Sequence, residues 1–294
     1  CTGNMQLASA MSVLLCVLDV AFNYVFIYRL HLGVMGAALG TAVAYICTSL
    51  PITWFATCRD KILALKWDRA PFHWVWNYVM KAVKISLPIA VQSILMSGAQ
   101  IISTIIVAPL GNVAIAAHSF AITAESLCYM PGYGIGDAAT TLVGQTFGAG
   151  RSALCRSFAR LTVGLGMSVM AAMGAIMYVF APEMIALLSP VADIQALGAS
   201  VLRIEAFAEP FFAASIVTYS ICVGAGDTLR PAIMNLASMW CVRLTLAAYL
   251  ARDYGLRGVW MAMAVELTFR GLLFLYRLFR GNWLKALAEK APAA

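Results

Sequence analysis

Charge is what this chain most lacks. Lys and Arg number 20 and Asp and Glu 13 among 294 residues, 11% of the sequence, less than half the roughly 25% of an ordinary soluble domain. A water-soluble globular fold is excluded on that ground. Clustered cysteines are missing too. The eight stand singly at 1, 16, 47, 58, 128, 155, 222 and 241, with no Cys-x-x-Cys and no histidine pair nearby, which excludes zinc sites and a disulfide framework. No phosphate-cradling glycine loop and no paired nucleophile and base are present, which argues against an enzyme. No stretch alternates apolar and polar residues as a barrel strand would. The net charge of +7 forms no basic stripe, so nucleic acid is not an expected partner.

Apolar residues take up the balance, at 62% of the chain with a mean hydropathy of +0.85. Eight apolar runs are expected as spans at 5–29, 33–58, 83–107, 113–146, 157–180, 196–224, 230–251 and 256–280. Each can cross about 30 Å of hydrocarbon at about 1.5 Å per residue. Lipid offers backbone groups no partner, so the runs are expected to be helices and the fold class an all-α polytopic membrane protein. Basic residues crowd alternate loops: fourteen, among them Arg59, Lys61, Lys66, Arg69, Lys81, Lys84, Arg151, Arg156, Arg160, Arg277 and Arg280, fall on one side, against Arg29, Arg252 and Arg257 on the other. The positive-inside rule makes the richer side, with both ends of the chain, cytoplasmic. The expected location is the inner (plasma) membrane.

One hairpin occurs twice. Gly3-Asn4 leads into an apolar run that turns at Gly33-Val34-Met35-Gly36, and Gly226-Asp227-Thr228 leads into another that turns at Gly255-Leu256-Arg257-Gly258, 222 residues later. A period this long marks a duplicated multi-helix half rather than a solenoid. Residues 1–58 are therefore expected to be the last two helices of an N-terminal lobe, 59–82 a cytoplasmic linker, 83–280 a complete six-helix lobe and 281–294 a tail. The first lobe's four earlier helices are expected to lie outside this sequence. In the linker, the aromatic run from Pro71 to Tyr78 suits a short helix at headgroup level. In the fourth span Pro131-Gly132-Tyr133-Gly134-Ile135-Gly136 leaves two readings open, a kink or unwinding at a watery cavity, or close packing through the glycines. Pro210 in the sixth span raises the same pair.

Ionisable residues at membrane depth are costly and mark interiors or aqueous paths. Glu205 and Glu209, spaced i,i+4, are expected to line a cavity or to pair with Arg203 or Arg243. Glu266 and Arg270, with the same spacing and opposite charges, read as a structural ion pair. Glu125 is a candidate proton carrier, and Asp137 is expected nearer the interface. Arg243 and Glu266 join the possible cavity-lining set. In the first hairpin Asp19 and Asn23 share a helix face, and about 1.5 Å of rise per residue puts Asn23 and Thr41 at one depth. A carboxylate, an amide and a hydroxyl suit Na⁺ or a carried proton; inter-helix hydrogen bonding is the competing reading. No other metal is expected. His31, His73 and His118 read as turn, interface and packing residues.

Ser86-Leu87-Pro88-Ile89-Ala90, Met130-Pro131 with Thr141-Leu142-Val143-Gly144-Gln145 and Phe147-Gly148-Ala149-Gly150, Gly224-Ala225-Gly226-Asp227-Thr228, Ser238-Met239-Trp240 with Arg243, and Gly258-Val259-Trp260, in that order between the spans, resemble the multidrug and toxic compound extrusion (MATE) transporters. The resemblance implies two six-helix lobes facing each other in a V, of which this chain would supply helices five to twelve. It implies export of amphipathic or cationic organic compounds against inward H⁺ or Na⁺, no cofactor beyond that ion, and a monomer at full length. The family's first-lobe cation site combines an Asp on the first helix with an Asn and an Asp on the fifth and a Thr on the sixth. Asp19, Asn23 and Thr41 fall on the later positions, with Asp and Asn exchanged in order. The NorM-like branch adds carboxylates on the seventh and tenth helices, which align with Met96 and Phe212 here; this departure implies the DinF-like branch. A lipid-linked sugar flippase of the same superfamily, or a non-transporting membrane protein, are the alternatives. A flippase would need a strongly basic cavity, which Arg203, Arg243 and Arg270 hardly provide.

Overall fold

The computed structural model describes residues 5–58, 76–280 and 283. All elements among them are helical, and the chain divides into two units, Cys1–Val75 and Trp76–Ala294. Seven helices are long and apolar enough to cross a membrane, or eight if one bent pair counts as a single span. Bulky apolar side chains face outward along them, including Val20, Ile94, Leu161 and Phe279, as expected where lipid is the solvent.

Unit 1 is a hairpin of α1 (Met5–Tyr24), extended by a π-turn at Val25–Arg29, and α2 (Gly33–Cys58). The turn is closed by Leu30 N–H donating to the Val25 carbonyl at 3.1 Å, with His31 at φ +52° and Gly33 at φ +55°. Along α2 the buried positions among the described residues are Gly36, Gly40, Ala44 and Thr48, one every fourth residue. Such a small-residue stripe lets membrane helices approach closely.

Unit 2 runs through α3 (Trp76–Val107), α4 (Asn112–Gly148), α5 (Ser152–Leu188), α6 (Ala192–Glu205), α7 (Glu209–Gly224), α8 (Leu229–Ala237), a π-turn at Ser238–Arg243, α9 (Leu244–Tyr254) and α10 (Leu256–Arg280). α4, α5 and α7 pack on one another at the centre with α10 against α7, α6 leans on α4, α5 and α10, and the α8–α9 segment bridges α3 to α10. One apolar cluster around Trp260, Met177 and Leu202 fills the end where α4 begins, and another around Val143, Val163 and Ile221 fills the end where α4 stops. The second hairpin repeats the first in detail: Gly255 has φ +58°, and Gly258 abuts the Leu250 carbonyl as Gly36 abuts that of Phe26.

Several expectations change. α3 begins at Trp76, inside the expected 59–82 linker, and α5 extends well beyond the expected 157–180 at both ends. Linker residues 59–75, with His73, and the tail apart from Trp283 lie outside the described residues. The fourth span does not unwind. α4 is helical throughout its 37 residues, and Gly132 and Gly136 serve packing while Gly134 faces open space. A Cβ on Gly136 would stand 2.7 Å from Ser220 Oγ, and one on Gly224 2.6 Å from the Thr140 carbonyl, both inside normal contact. Thr140 Oγ1 completes the α4–α7 seam by donating to the Ser220 carbonyl at 3.0 Å. The sixth span does break: α6 and α7 meet at 59° across residues 206–208. Pro210, lacking an N–H, sits in the first turn of α7, where that loss costs nothing.

Candidate functional site

In unit 1, Asn23 lies directly against Gly40. A Cβ at position 40 would fall on Asn23 Oδ1 and stand 3.0 Å from its backbone N and 3.1 Å from its Cγ. Glycine is thus what lets the amide lie across α2, and Thr41 is the next residue along. Asp19 is one turn from Asn23 on α1, and Asp19, Asn23 and Thr41 are all half-buried. Asp19 Oδ1 and Asn23 Oδ1 are sealed from solvent and have no hydrogen-bond partner among the described residues. Inter-helix hydrogen bonding therefore uses neither oxygen. Buried acceptors are nearly always satisfied, so two unmet ones a turn apart form a hard-oxygen half-site fit for a small cation or a proton.

In unit 2 the buried ionisable residues converge. Glu125 comes from α4, Glu205 from the end of α6, Glu209 from the start of α7, Arg243 from the π-turn, and Glu266 and Arg270 from α10; all are buried, with Glu205, Glu209 and Glu266 at 0% exposure. Glu266 is the best held. Its Oε1 accepts from Ser238 Oγ at 2.6 Å and lies 3.2 Å from Arg270 Nε, and the Arg270 guanidinium stands 5.5 Å from the centre of the Phe212 ring. The expected structural pair is present. Arg243 donates to Met263 Sδ at 2.7 Å and forms no ion pair among the described residues.

The expected pairing of Glu205 or Glu209 with Arg203 is not found. Arg203 is exposed, donates to the Tyr178 carbonyl at 3.3 Å and lies over the Tyr178 ring. The shared face assumed a continuous helix, and the break after Glu205 removes it. All four oxygens of Glu205 and Glu209 are buried without a hydrogen bond among the described residues. His118 sits nearby as a packing residue, its Nδ1 accepting from Trp260 Nε1–H at 3.1 Å.

A separate set of residues lines the open space of unit 2. A cavity of about 410 Å³ opens among α3, α4, α7, α8 and α10, lined by Gln92, Met96, Tyr133, Asp137, Phe212 and Arg270 among others. Glu125, Glu205, Glu209, Arg243 and Glu266 are not in its wall; all five are buried. Asp137, expected nearer the interface, is exposed and is the carboxylate of this wall, which Arg270 also lines. Tyr219 O–H donates to Gln92 Oε1 at 3.0 Å across the same space. Met96 and Phe212 both line it. The signal for this cavity was the co-location of those two aligned positions, which spacing alone could not reveal.

A family model described as MatE matches residues 88–249, more than half of the chain. Two curated relatives are each named a probable multidrug resistance protein NorM. That of Thermotoga maritima is 26% identical over 257 residues, covering 87% of this chain and 55% of its own length; that of Pseudomonas aeruginosa is 29% identical over 266 residues, covering 87% and 54%. A crystal structure of a mutant Vibrio cholerae MATE transporter superposes with a TM-score of 0.86 at 17% identity, over 97% of this chain and 64% of that one. This chain thus spans little more than half the length of the curated relatives it matches.

Proposed function

Since the chain belongs to the MatE family, the multidrug and toxic compound extrusion transporters, we propose that it forms the larger part of a secondary exporter, moving amphipathic or cationic organic compounds outward while H⁺ or Na⁺ runs inward. The observation that carries this reading is the pair of buried, unpartnered oxygens on Asp19 and Asn23, held over Gly40 beside Thr41. Asp19 supplies the charge that attracts the ion, Asn23 a fixed carbonyl oxygen, and Thr41 a hydroxyl able to join them. An ion held there neutralises a carboxylate that would otherwise be costly at membrane depth, so occupancy biases the packing of α1 on α2, the kind of differential stabilisation that alternating access requires. The absence of carboxylates at Met96 and Phe212 supports coupling in the first lobe. The excess of basic residues on one side supports cytoplasmic ends.

The test uses the full-length protein in everted membrane vesicles with ethidium as cargo, driven in turn by a proton and a sodium gradient. Asp19→Asn is expected to abolish ion-driven efflux at normal expression, and the gradient that drives the parent protein identifies the ion. Unchanged efflux in Asp19→Asn removes this site from coupling.

A further inference from the structure

A second, smaller cavity of about 150 Å³ lies at the end of unit 2 where α5 begins and α10 ends, walled by Arg156, Arg160, Arg280, Leu278, Phe279 and Trp283. It is well below the roughly 300–1,000 Å³ of sites for drug-sized molecules, and large enough for one compact anion. Its three guanidiniums have no carboxylate in ion-pair reach among the described residues, whereas the neighbouring Arg277 is paired with Asp227. Arg280 is steadied by its own helix: it donates to Tyr276 Oη at 2.5 Å and lies 5.4 Å over that ring. Trp283, 2% exposed, closes one wall, its indole N–H on the Leu278 carbonyl at 3.2 Å. Three converging, unneutralised arginines fit a phosphate, whose oxygens accept guanidinium N–H groups in pairs.

Depth and surroundings narrow the source of that phosphate. The 37 residues of α5 extend about 55 Å, some 25 Å more than the hydrocarbon layer. Arg156 and Arg160 lie about 6 and 12 Å along α5 from Ser152, within the overhang of a centred helix and so at headgroup level. Beyond them toward the middle of the membrane, Leu161 and Leu165 on α5 and Leu272 and Tyr276 on α10 are each more than half exposed, a surface for acyl chains. A zwitterionic headgroup brings its own cation, which three arginines with no acid in reach among the described residues would repel. We propose that this cavity binds the phosphate of an anionic phospholipid whose chains lie along α5 and α10. The inference is independent of the transport reading.

Native mass spectrometry of the purified full chain, titrated with phosphatidylglycerol, with phosphatidylcholine and with inorganic phosphate, tests it. Phosphatidylglycerol is expected to be retained in preference to phosphatidylcholine and not to be displaced by millimolar phosphate. Each Arg→Gln change should weaken retention roughly fivefold, at about 1 kcal/mol per arginine near an anionic surface, while Arg277→Gln leaves it unchanged. Should R156Q/R160Q/R280Q fail to fold, Arg160→Gln alone carries the test, with Arg160→Lys restoring part of the loss. Equal retention of phosphatidylcholine, or unchanged retention in folded Arg160→Gln, overturns the site. Displacement by inorganic phosphate reassigns it to a soluble anion and overturns the lipid.

Discussion

Replacing Gly40 by Ala separates packing from ion coupling in the first hairpin. The added methyl would fall on Asn23 Oδ1 and stand 3.0 Å from Asn23 N and 3.1 Å from Asn23 Cγ, against about 3.5–4.0 Å for comfortable contact, so Asn23 must retreat by at least about 0.5 Å. Ion ligands are placed to within about 0.2 Å, and displacing a supporting group commonly weakens a site about 10–100-fold. Overpacking costs a further ~1–3 kcal/mol of stability. Gly36 supplies the comparison: its methyl would meet the Phe26 carbonyl oxygen at 2.8 Å and Leu32 Cβ at 3.0 Å, a clash of similar severity that touches no candidate ligand. In full-length protein, both variants should melt earlier in detergent. Only Gly40→Ala should raise, tenfold or more, the ion concentration giving half-maximal ethidium efflux per folded molecule. If Gly40→Ala keeps the parent ion dependence, or if Gly36→Ala loses it equally, Asn23 is not an ion ligand and the site as built here fails.

Two further outcomes concern the second unit. Glu266→Ala removes the partner of both Arg270 and Ser238 and strands a buried guanidinium, so it should cost about 3–5 kcal/mol, read as a lowered melting transition that Glu266→Gln only partly restores. Trp260→Phe leaves His118 Nδ1 without its donor in a sealed pocket and should cost about 1–3 kcal/mol; a double change with His118→Leu should be less than additive if the hydrogen bond, rather than lost ring volume, is responsible.

Much of this was readable beforehand because lipid makes hydropathy an almost direct report of structure. α2 and α10 have the bounds 33–58 and 256–280 expected of them. The start of α3 and both ends of α5 were missed because those stretches carry charges or proline, Lys81 and Lys84 in α3, Arg156 and then Pro182-Glu183 in α5, which a hydropathy reading takes as loop. The behaviour of the prolines was undecidable from the chain. Pro131 lies inside a helix in which Gly132 packs on α5 and Gly136 on α7, whereas Pro210 starts a new helix, and the difference resides in the neighbours. For the same reason Asn23 and Thr41 could be matched in depth by rise per residue, but the dependence of Asn23 on Gly40 could not, since it is a contact between helices. The opposite error befell Glu205 and Glu209: an i,i+4 rule holds only along an unbroken helix.

The broken span has a consequence for biogenesis. α6, with 14 residues, is about 21 Å long and α7, with 16, about 24 Å, so neither reaches across the hydrocarbon by itself. They must enter the bilayer as a bent pair, carrying Glu205 and Glu209 with them. Synthesis runs from the N-terminus, so the pair leaves the ribosome before Arg243, Glu266 and Arg270 exist. Its acidic elbow can settle at depth only when α8 to α10 arrive to enclose it. The sixth span is thus the last to mature in its lobe, and a nascent chain halted before Arg243 should leave the elbow open to aqueous labelling.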